Sequence, residues 1–267
     1  MTVLTSVQLF TVKDALEADL DGTLADLAAR GFTAVEPYDF VRRAEPLAAA
    51  LGAHGLTAPT GHAFLASESF VNPDGSGSTI PVPTPHEVFA AAKILGMGTV
   101  IDPYTAPERW TSIEQIEETA RLLNTAALIG ADYGIRVGYH NHAHEVEAQF
   151  DGKTGLEVLA DLLDPLVVLE VDLYWVARGG VSSPDLLRTL GDRVVAVHVK
   201  DGTLDPEAIA AYPPADQVPA GQGVVPLAEA LAAASVLEFA VVEFDHFAGD
   251  LFDAIEQSRI FLDGQAA

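Results

Sequence analysis

The runs "LVVLEVDLY" (166–174) and "RVVAVHVKD" (193–201) are short, rich in valine, and carry titratable side chains toward their ends. Short runs of β-branched residues are typical of strands that are buried on both faces. Six further runs of this kind occur along the chain, and they read "SVQLFTV", "FTAVEPY", "LTAPTGHAF", "GTVIDPY", "IRVGYHNH" and "FAVVEFDH". The sequence therefore predicts eight strands.

Segments with helical periodicity lie between most of these strands. Examples with alanine-rich faces cover residues 14–30, 85–95, 112–133 and 249–262. Eight alternating strand–helix units in 267 residues suit an α/β fold of the closed (β/α)8 TIM barrel type, as a single domain over residues 1–267. The alternative is an open Rossmann-like sheet, but no G-x-G-x-x-G motif follows any of the strands.

Two long stretches rich in Gly and Pro cover residues 71–85 and 211–226. In a barrel they would be βα loops after the third and seventh strands, and loops on that face build the active site. We therefore expect the functional residues at the carboxyl ends of the strands.

The charge balance narrows the range of partners. The chain has 39 Asp and Glu against 14 Lys and Arg, a formal net charge of −25. Such a surface repels a phosphate backbone and an anionic membrane, so neither nucleic acid nor a membrane is an expected partner. The N-terminal stretch lacks a basic segment followed by an apolar run, so we expect a cytoplasmic protein. The sequence is compatible with a homo-oligomer.

Polar side chains gather at one end of several predicted strands. Side chains alternate between the two faces of a strand, so residues two apart share a face. This alternation places acids, histidines and a lysine on inward faces, where a barrel core otherwise needs branched apolar residues. They are Glu36, His140, His142, Glu170, Asp172, His198, Lys200, Glu243 and Asp245.

A metal ion would explain this convergence, because buried carboxylates repel one another unless a cation or protons offset their charge. The chain has no cysteine, so any metal must bind through His, Asp or Glu. Such ligands favour Mn²⁺, Mg²⁺, Co²⁺ or Zn²⁺. Each group also has a plain structural explanation: Asp172 and Glu243 could be helix N-caps, and the histidines could belong to a solvated loop. Their joint convergence favours a site.

Five motifs occur in a fixed order: "SVQLFTVKD" (6–14), "YHNHAHE" (139–145), "EVDLYWVARGG" (170–180), "HVKDG" (198–202) and "VVEFDH" (241–246). With these motifs the chain resembles the sugar phosphate isomerase/epimerase proteins, which have a xylose-isomerase-like TIM barrel. That group includes tagatose epimerases, hydroxypyruvate isomerases and inosose dehydratases. The resemblance covers nearly the whole chain.

The resemblance implies one bound divalent metal ion, with Mn²⁺ expected first and Mg²⁺, Co²⁺ or Zn²⁺ as alternatives. The implied ligands are Glu145, Asp172, His198 and Glu243. Relatives with an L-E-x-x-N fifth strand place the ligand glutamate earlier, so His140 or His142 could take the position of Glu145. Within "YHNHAHE" we expect His140 to lie deep, His142 near the rim and His144 toward solvent.

The implied reaction is proton abstraction next to a carbonyl. A metal that chelates a carbonyl and a neighbouring hydroxyl acidifies the C–H bond between them, so a nearby carboxylate can remove the proton and an enediolate forms. We therefore expect a metal-dependent isomerase or epimerase of carbohydrate metabolism that acts on a small-molecule sugar or keto-sugar. The alternative is a lyase or dehydratase that acts on a keto-inositol or 3-keto-glycoside by β-elimination.

The expected catalytic residues are Glu145, Glu243, His142 and Lys200, and the expected substrate-binding residues are His62, Glu36, His140 and Trp175. Glu243 would carry one proton, and Glu145 or His142 the other. Few basic residues are expected near the rim, which disfavours a phosphorylated substrate. An endonuclease of the apurinic-site type would need a basic face for DNA, and a non-catalytic sugar-binding barrel would not need the complete set of acids and histidines.

Overall fold

The computed structural model describes residues 3–71, 78–209 and 213–265. Its strands are β1 (Leu4–Val7), β2 (Thr60–His62), β3 (Ser69–Val71), β4 (Thr79–Pro81), β5 (Thr99–Asp102), β6 (Arg136–His140), β7 (Gln149–Phe150), β8 (Lys153–Thr154), β9 (Val167–Asp172), β10 (Val194–Val199), β11 (Asp201–Gly202), β12 (Gln217–Val218) and β13 (Phe239–Val242). Its α-helices are α1 (Lys13–Ala18), α2 (Leu20–Ala29), α3 (Ala44–Ala53), α4 (Pro85–Leu95), α5 (Ile113–Tyr133), α6 (His144–Glu147), α7 (Gly155–Leu162), α8 (Leu173–Arg178), α9 (Ser183–Leu190), α10 (Pro206–Ile209), α11 (Leu227–Ala233) and α12 (Leu251–Gln265). Short 3-10 turns cover Leu9–Val12, Val41–Arg43, Pro107–Trp110 and Gly191–Arg193.

Seven strands form one curled parallel sheet, in the order β1, β13, β10, β9, β6, β5 and β2. Residues 34–38 join its two edges. On one side the N–H of Glu36 donates to the carbonyl of Val7 over 2.8 Å, and on the other the N–H of His62 donates to the carbonyl of Pro37 over 2.8 Å. The sheet is thereby closed, and the predicted (β/α)8 barrel is confirmed.

The second of the eight predicted strands, "FTAVEPY", pairs less regularly than expected. It is connected to its neighbours by isolated parallel bridges at Ala34, Glu36 and Tyr38. Pro37 has no N–H to donate, and a proline is poorly tolerated inside a sheet for that reason. The segment therefore completes the barrel without forming a continuous ladder.

The helices largely follow the predicted periodicity. The helix predicted over 85–95 is α4, which begins at a capping box formed by Thr84 and Glu87 and ends at Gly96 in the left-handed conformation, with φ of 72°. The segment predicted as one helix over 14–30 is two helices, α1 and α2. They separate at Asp19, whose side chain accepts a hydrogen bond from the N–H of Gly22 and so caps the second helix.

Strand register fixes the depth of the polar side chains inside the barrel. His140 pairs with Glu170, and His198 pairs with both Asp172 and Val241. The central strands β9 and β10 are buried over nearly their whole length. Acids and histidines on neighbouring strands therefore lie at the same level along the barrel axis and are close in space.

Two small hairpins follow the third and seventh barrel strands. In the first predicted loop β3 pairs with β4, and in the second β11 pairs with β12. Residues 72–77 and 211–212 of these loops lie outside the described residues. The Asp201 carboxylate secures the second loop by accepting hydrogen bonds from the backbone N–H groups of Gly202, Gly221, Gly223 and Val225. Over the described ranges, no helix is long and apolar enough to cross a membrane.

Candidate metal centre

Four side chains converge at the carboxyl ends of β6, β9, β10 and β13. We call them the rim group, which consists of His140, Asp172, His198 and Glu243. One ligand atom of each lies within 4.8 Å of the others, and all four residues are buried. Three of these residues, Asp172, His198 and Glu243, were expected as ligands from the sequence, and His140 was an open alternative for the fourth.

The nitrogen and oxygen atoms of the rim group lie close together, and two of them are joined by a direct hydrogen bond. His198 Nδ1 lies 2.6 Å from Glu243 Oε2. Asp172 Oδ2 lies 3.9 Å from both His140 Nε2 and His198 Nδ1. The ring centroids of His140 and His198 lie 4.4 Å apart, and the angle between the two ring planes is 60°. The nitrogens of the two rings therefore point in different directions.

Asp172 has two separate contacts, one for each carboxylate oxygen. Oδ1 accepts a hydrogen bond from the N–H of Trp175 and caps helix α8. Oδ2 is buried and has no hydrogen bond of acceptable geometry to the described residues, although Lys200 Nζ lies 3.0 Å away. Burial raises the pKa of Asp172 to about 6. The N-cap explanation and the ligand explanation are therefore compatible.

Lys200 supplies positive charge beside the rim group. Its ammonium lies 2.7 Å from Glu243 Oε2 and 2.9 Å from Asp245 Oδ2, besides the contact with Asp172. Burial would lower the pKa of Lys200, but these three carboxylates hold it well above its ordinary value. Burial likewise raises the pKa of Glu243, but Lys200 and His198 outweigh it and hold that pKa well below its ordinary value. Both residues are thus charged.

The residues present fit a divalent cation. The donor set is two imidazole nitrogens and two carboxylates, with no sulfur, which suits Mn²⁺, Zn²⁺ and related ions. Asp172 Oδ2 is buried and makes no hydrogen bond to the described residues, so its only compensation is the Lys200 ammonium 3.0 Å away, and it remains available as a metal ligand.

A second layer lies below the rim group, and we call it the inner group: Glu36, His62 and Glu170. His62 Nε2 lies 2.7 Å from Glu170 Oε2 and 3.1 Å from Glu36 Oε1. Burial would lower the pKa of His62, but the two carboxylates outweigh it and raise the pKa to about 10. Gln8 also donates to Glu36 Oε1, over 2.9 Å. The sequence predicts that His62 and Glu36 bind substrate. In the structure both side chains are in contact with other side chains of the barrel interior.

Sequence reasoning placed Glu170 on the inward face but gave it no role. The structure shows three histidines around its Oε2 atom. The register of β6 against β9, which sets Glu170 level with His140, was the missing information.

Glu145 lies away from the position implied for a metal ligand. It is fully buried, one carboxylate oxygen accepts a hydrogen bond from Tyr139 OH over 2.8 Å, and the other accepts one from the N–H of His142 over 2.9 Å. Among the described residues it belongs neither to the rim group nor to the second possible ligand set, which consists of His62, His140, Glu170 and His198. The chain turns into α6 just before Glu145, and this turn directs the side chain back toward Tyr139.

The expectation that His144 faces solvent is wrong. Its side chain is 19% exposed, and Nε2 donates to the carbonyl of Thr105 over 2.9 Å. The ring also contacts those of Tyr104 and Trp110. Burial lowers the pKa of His144. The residue belongs to the packing behind the loop.

His142 and Trp175 line the upper side of the rim group. Their ring centroids lie 5.2 Å apart, and Lys200 Nζ lies 5.6 Å from the Trp175 ring. His142 is only partly buried, yet its Nδ1 has no hydrogen-bond partner in the described structure. This nitrogen is itself buried, so within the described structure it has neither a hydrogen-bond partner nor contact with solvent.

The closed barrel and the nitrogen and oxygen ligands at its carboxyl end define the class of protein. Residues 24–250 match the model of the xylose isomerase-like TIM barrel family. The chain belongs to this family, as its motifs predict. None of the curated proteins matches the sequence.

Solved structures share the fold at low identity. A sugar phosphate isomerase/epimerase from Parabacteroides distasonis ATCC 8503 is 17% identical, with a TM-score of 0.78 over 100% of this chain and 97% of that chain. The IOLI protein with a binding zinc atom is 17% identical, with a TM-score of 0.71 over 100% and 98%. The probable 3-DHS dehydratase AsbF from Bacillus anthracis is 13% identical, with a TM-score of 0.71 over 98% and 99%.

Proposed function

We propose that the protein is a divalent-metal-dependent sugar isomerase or epimerase that abstracts a proton next to a carbonyl and forms an enediolate. The observation that carries the proposal is the rim group, in which four buried candidate ligands from four strands lie within 4.8 Å of one another beside Lys200. The sugar phosphate isomerase/epimerase among the structures with this fold supports the reaction class.

The residues that would hold the metal are His140, Asp172, His198 and Glu243. When bound, a divalent cation polarises the substrate carbonyl and acidifies the adjacent C–H bond. We expect Mn²⁺ first, because the ligands are harder than those of a sulfur site. Zn²⁺ is supported by the zinc atom of the IOLI protein, and Mg²⁺ and Co²⁺ are further alternatives.

Two groups on different sides of the site are proposed to carry the proton. Glu243 is ionised, held between His198 and Lys200, and can accept a proton. His142 lies on the loop above β6, its buried Nδ1 has no hydrogen-bond partner among the described residues, and it is proposed to carry the proton on the other side. Lys200 would donate to a substrate oxygen in place of one of the three carboxylates that it contacts, and Trp175 can cover an apolar face of the sugar. This arrangement assigns Glu145 to holding the His142 loop.

The charges favour an uncharged sugar or keto-sugar over a phosphorylated one. Lys200 already faces three carboxylates. Arg136 lies at the opposite end of its strand and makes two hydrogen bonds of 2.7 Å to Glu238. In the described part of the chain no arginine contacts the rim group or the inner group, so a phosphate would lack the bidentate partner that usually binds it.

A metal-dependent lyase or dehydratase, acting on a keto-inositol or 3-keto-glycoside, is the second candidate. After the same proton abstraction, the expulsion of a β-substituent needs an acid for the leaving group. His142 is the proposed acid, although burial and the nearby Lys200 hold the pKa of its imidazole well below the ordinary value, so it would donate from the neutral ring. AsbF, a probable dehydratase with this fold, supports this candidate.

Proton exchange tests the proposal. Free sugars and 3-keto-glycosides are incubated with the protein and Mn²⁺ in D₂O, and deuterium incorporation is followed by NMR while aglycone release is followed by chromatography. We expect deuterium at the carbon next to the carbonyl with wild-type protein and none with Glu243→Gln. Exchange with equal rates in both proteins would contradict the role of Glu243, and release of the aglycone would favour the lyase.

A further inference from the structure

Glu170 Oε2 is the point at which three histidines meet. It lies 2.7 Å from His62 Nε2, 3.0 Å from His140 Nδ1 and 3.0 Å from His198 Nε2. Glu36 Oε1 also lies 2.8 Å from His198 Nε2. Each histidine of the rim group directs one ring nitrogen to Glu170 and the other nitrogen to the rim.

The two nitrogens of each rim histidine have different partners. His140 directs Nδ1 to Glu170 and Nε2 toward Asp172. His198 directs Nε2 to Glu170 and Glu36, and Nδ1 toward Asp172 and Glu243. A neutral imidazole has one N–H group and one lone pair, and an ionised carboxylate only accepts hydrogen bonds. The inner nitrogens therefore carry protons. The Nε2 lone pair of His140 is directed at the rim, whereas His198 Nδ1 also donates, to the ionised Glu243, and would release that proton when it binds a metal.

We infer that Glu170 is a positioning residue that fixes the tautomer and ring orientation of both rim histidines, so that His140 binds the metal through Nε2 and His198 through Nδ1. This inference rests on the proposed metal site. A carboxylate that accepts the second N–H of a ligand histidine raises the basicity of the ligand nitrogen and prevents the ring from rotating. Glu170 does so for His140, and at His198 it shares the Nε2–H group with Glu36.

The second possible ligand set, His62, His140, Glu170 and His198, shares two histidines with the rim group, so one ion in each set would require a different state of those two rings. His140 and His198 would have to bind one ion with each nitrogen, and each would then lose its last proton. Neutral imidazole binds metals through one nitrogen only. The shared histidines thus favour one ion at the rim and hydrogen bonds to the inner carboxylates.

The contacts predict a graded effect of removing the inner carboxylates. Glu170 contacts both rim histidines, whereas Glu36 contacts only one of the two, His198. Glu170→Gln replaces an acceptor with an amide that also donates, and the donating NH₂ group opposes the histidine N–H groups. We expect Glu170→Gln to weaken Mn²⁺ binding about 10- to 100-fold, and Glu36→Gln to weaken it less.

Isothermal titration calorimetry with Mn²⁺ at one fixed pH measures this effect. Asp201→Asn is the matched control, because it also replaces a buried carboxylate with an amide but contacts only the backbone of the second loop. We expect Asp201→Asn to lose stability while its Mn²⁺ dissociation constant stays within about twofold of wild type. A dissociation constant of Glu170→Gln within the same range would overturn the inference.

A measurement on wild-type protein covers the case in which Glu170→Gln fails to fold. With ¹⁵N-labelled histidine and Zn²⁺ as a diamagnetic probe, NMR reports which ring nitrogen carries a proton. We expect a protonated Nδ1 on His140 and a protonated Nε2 on His198; the reverse tautomers would overturn the inference. Wild-type protein that binds neither Mn²⁺ nor Zn²⁺ would overturn the proposed function as well, which separates the two failures.

Discussion

At the scale of single residues, the two nitrogens of the rim histidines connect two layers of acids. His198 is in contact with Glu36, Glu170 and Glu243 together. Removing one member of such a buried network leaves the others without partners, so substitutions here affect more than one contact. Variants in the rim group should therefore be compared with variants in the inner group.

The choice between His140 and Glu145 as the fourth ligand is tested by their substitution. We expect His140→Ala to weaken Mn²⁺ binding at least about tenfold, because it removes a ligand nitrogen. Glu145→Gln should keep Mn²⁺ affinity within about threefold of wild type while lowering turnover, because it loosens the loop that carries His142. Calorimetric titration measures the Mn²⁺ affinity of both variants, and the proton-exchange assay measures turnover. The opposite ranking would return the ligand role to Glu145.

Glu145 also predicts a pH dependence of stability. Burial raises its pKa from the ordinary 4.5 to about 8, against the hydrogen bonds from Tyr139 and His142. The folded protein thus holds this proton more tightly than the unfolded chain does. Its contribution to stability is fully present below pH 4.5 and is lost as the pH rises to about 8. Urea unfolding should show that the cost of Glu145→Gln shrinks over this range; a constant cost would contradict the raised pKa.

The inward-facing acids could be predicted from the sequence, because the period of two along a strand holds in any register. The position of Glu145 could not, since the chain has left the strand by His142 and alternation no longer applies. His144 was misjudged for the same reason: its burial depends on Tyr104 and Trp110, which come from another loop.

At the scale of elements, strand ends and helix caps position the site. Four barrel strands end at or near a rim residue, and helix α8 begins directly after Asp172. The same carboxylate therefore ends one element and starts the next. Helices α4 and α5 were predictable from their periodicity and caps, whereas the break at Asp19 and the interrupted pairing around Pro37 depended on local hydrogen bonds.

The capping box of α4 gives a prediction at this scale. Thr84→Ala removes the hydroxyl that accepts from the N–H of Glu87, and we expect a loss of about 1 kcal/mol in the free energy of unfolding. Thr84→Ser keeps the hydroxyl and should cost much less. Urea denaturation measures both variants, and the Mn²⁺ affinity of each should equal that of wild type because α4 does not contribute to the rim. Equal stability of Thr84→Ala and Thr84→Ser would contradict the role of the cap.

At the scale of the whole molecule, the metal is expected to stabilise the barrel. A ligand that binds only the folded state at 100 times its dissociation constant adds about 2.7 kcal/mol. For a protein of this size, excess chelator should therefore lower the Tm by roughly 5–10 °C relative to Mn²⁺-loaded protein. Differential scanning calorimetry measures the shift, and His198→Ala serves as the control that should not respond. Equal Tm values with chelator and with Mn²⁺ would contradict a metal that binds the fold.

Anomalous scattering from crystals loaded with Mn²⁺ tests the central claim most directly, because it locates the ion independently of turnover. We expect one peak per chain, within about 2.5 Å of His140 Nε2, Asp172 Oδ2, His198 Nδ1 and Glu243 Oε2. No peak at the carboxyl end of the barrel, or a peak bound by Glu145 or by His62 and Glu170 in place of the rim group, would contradict it.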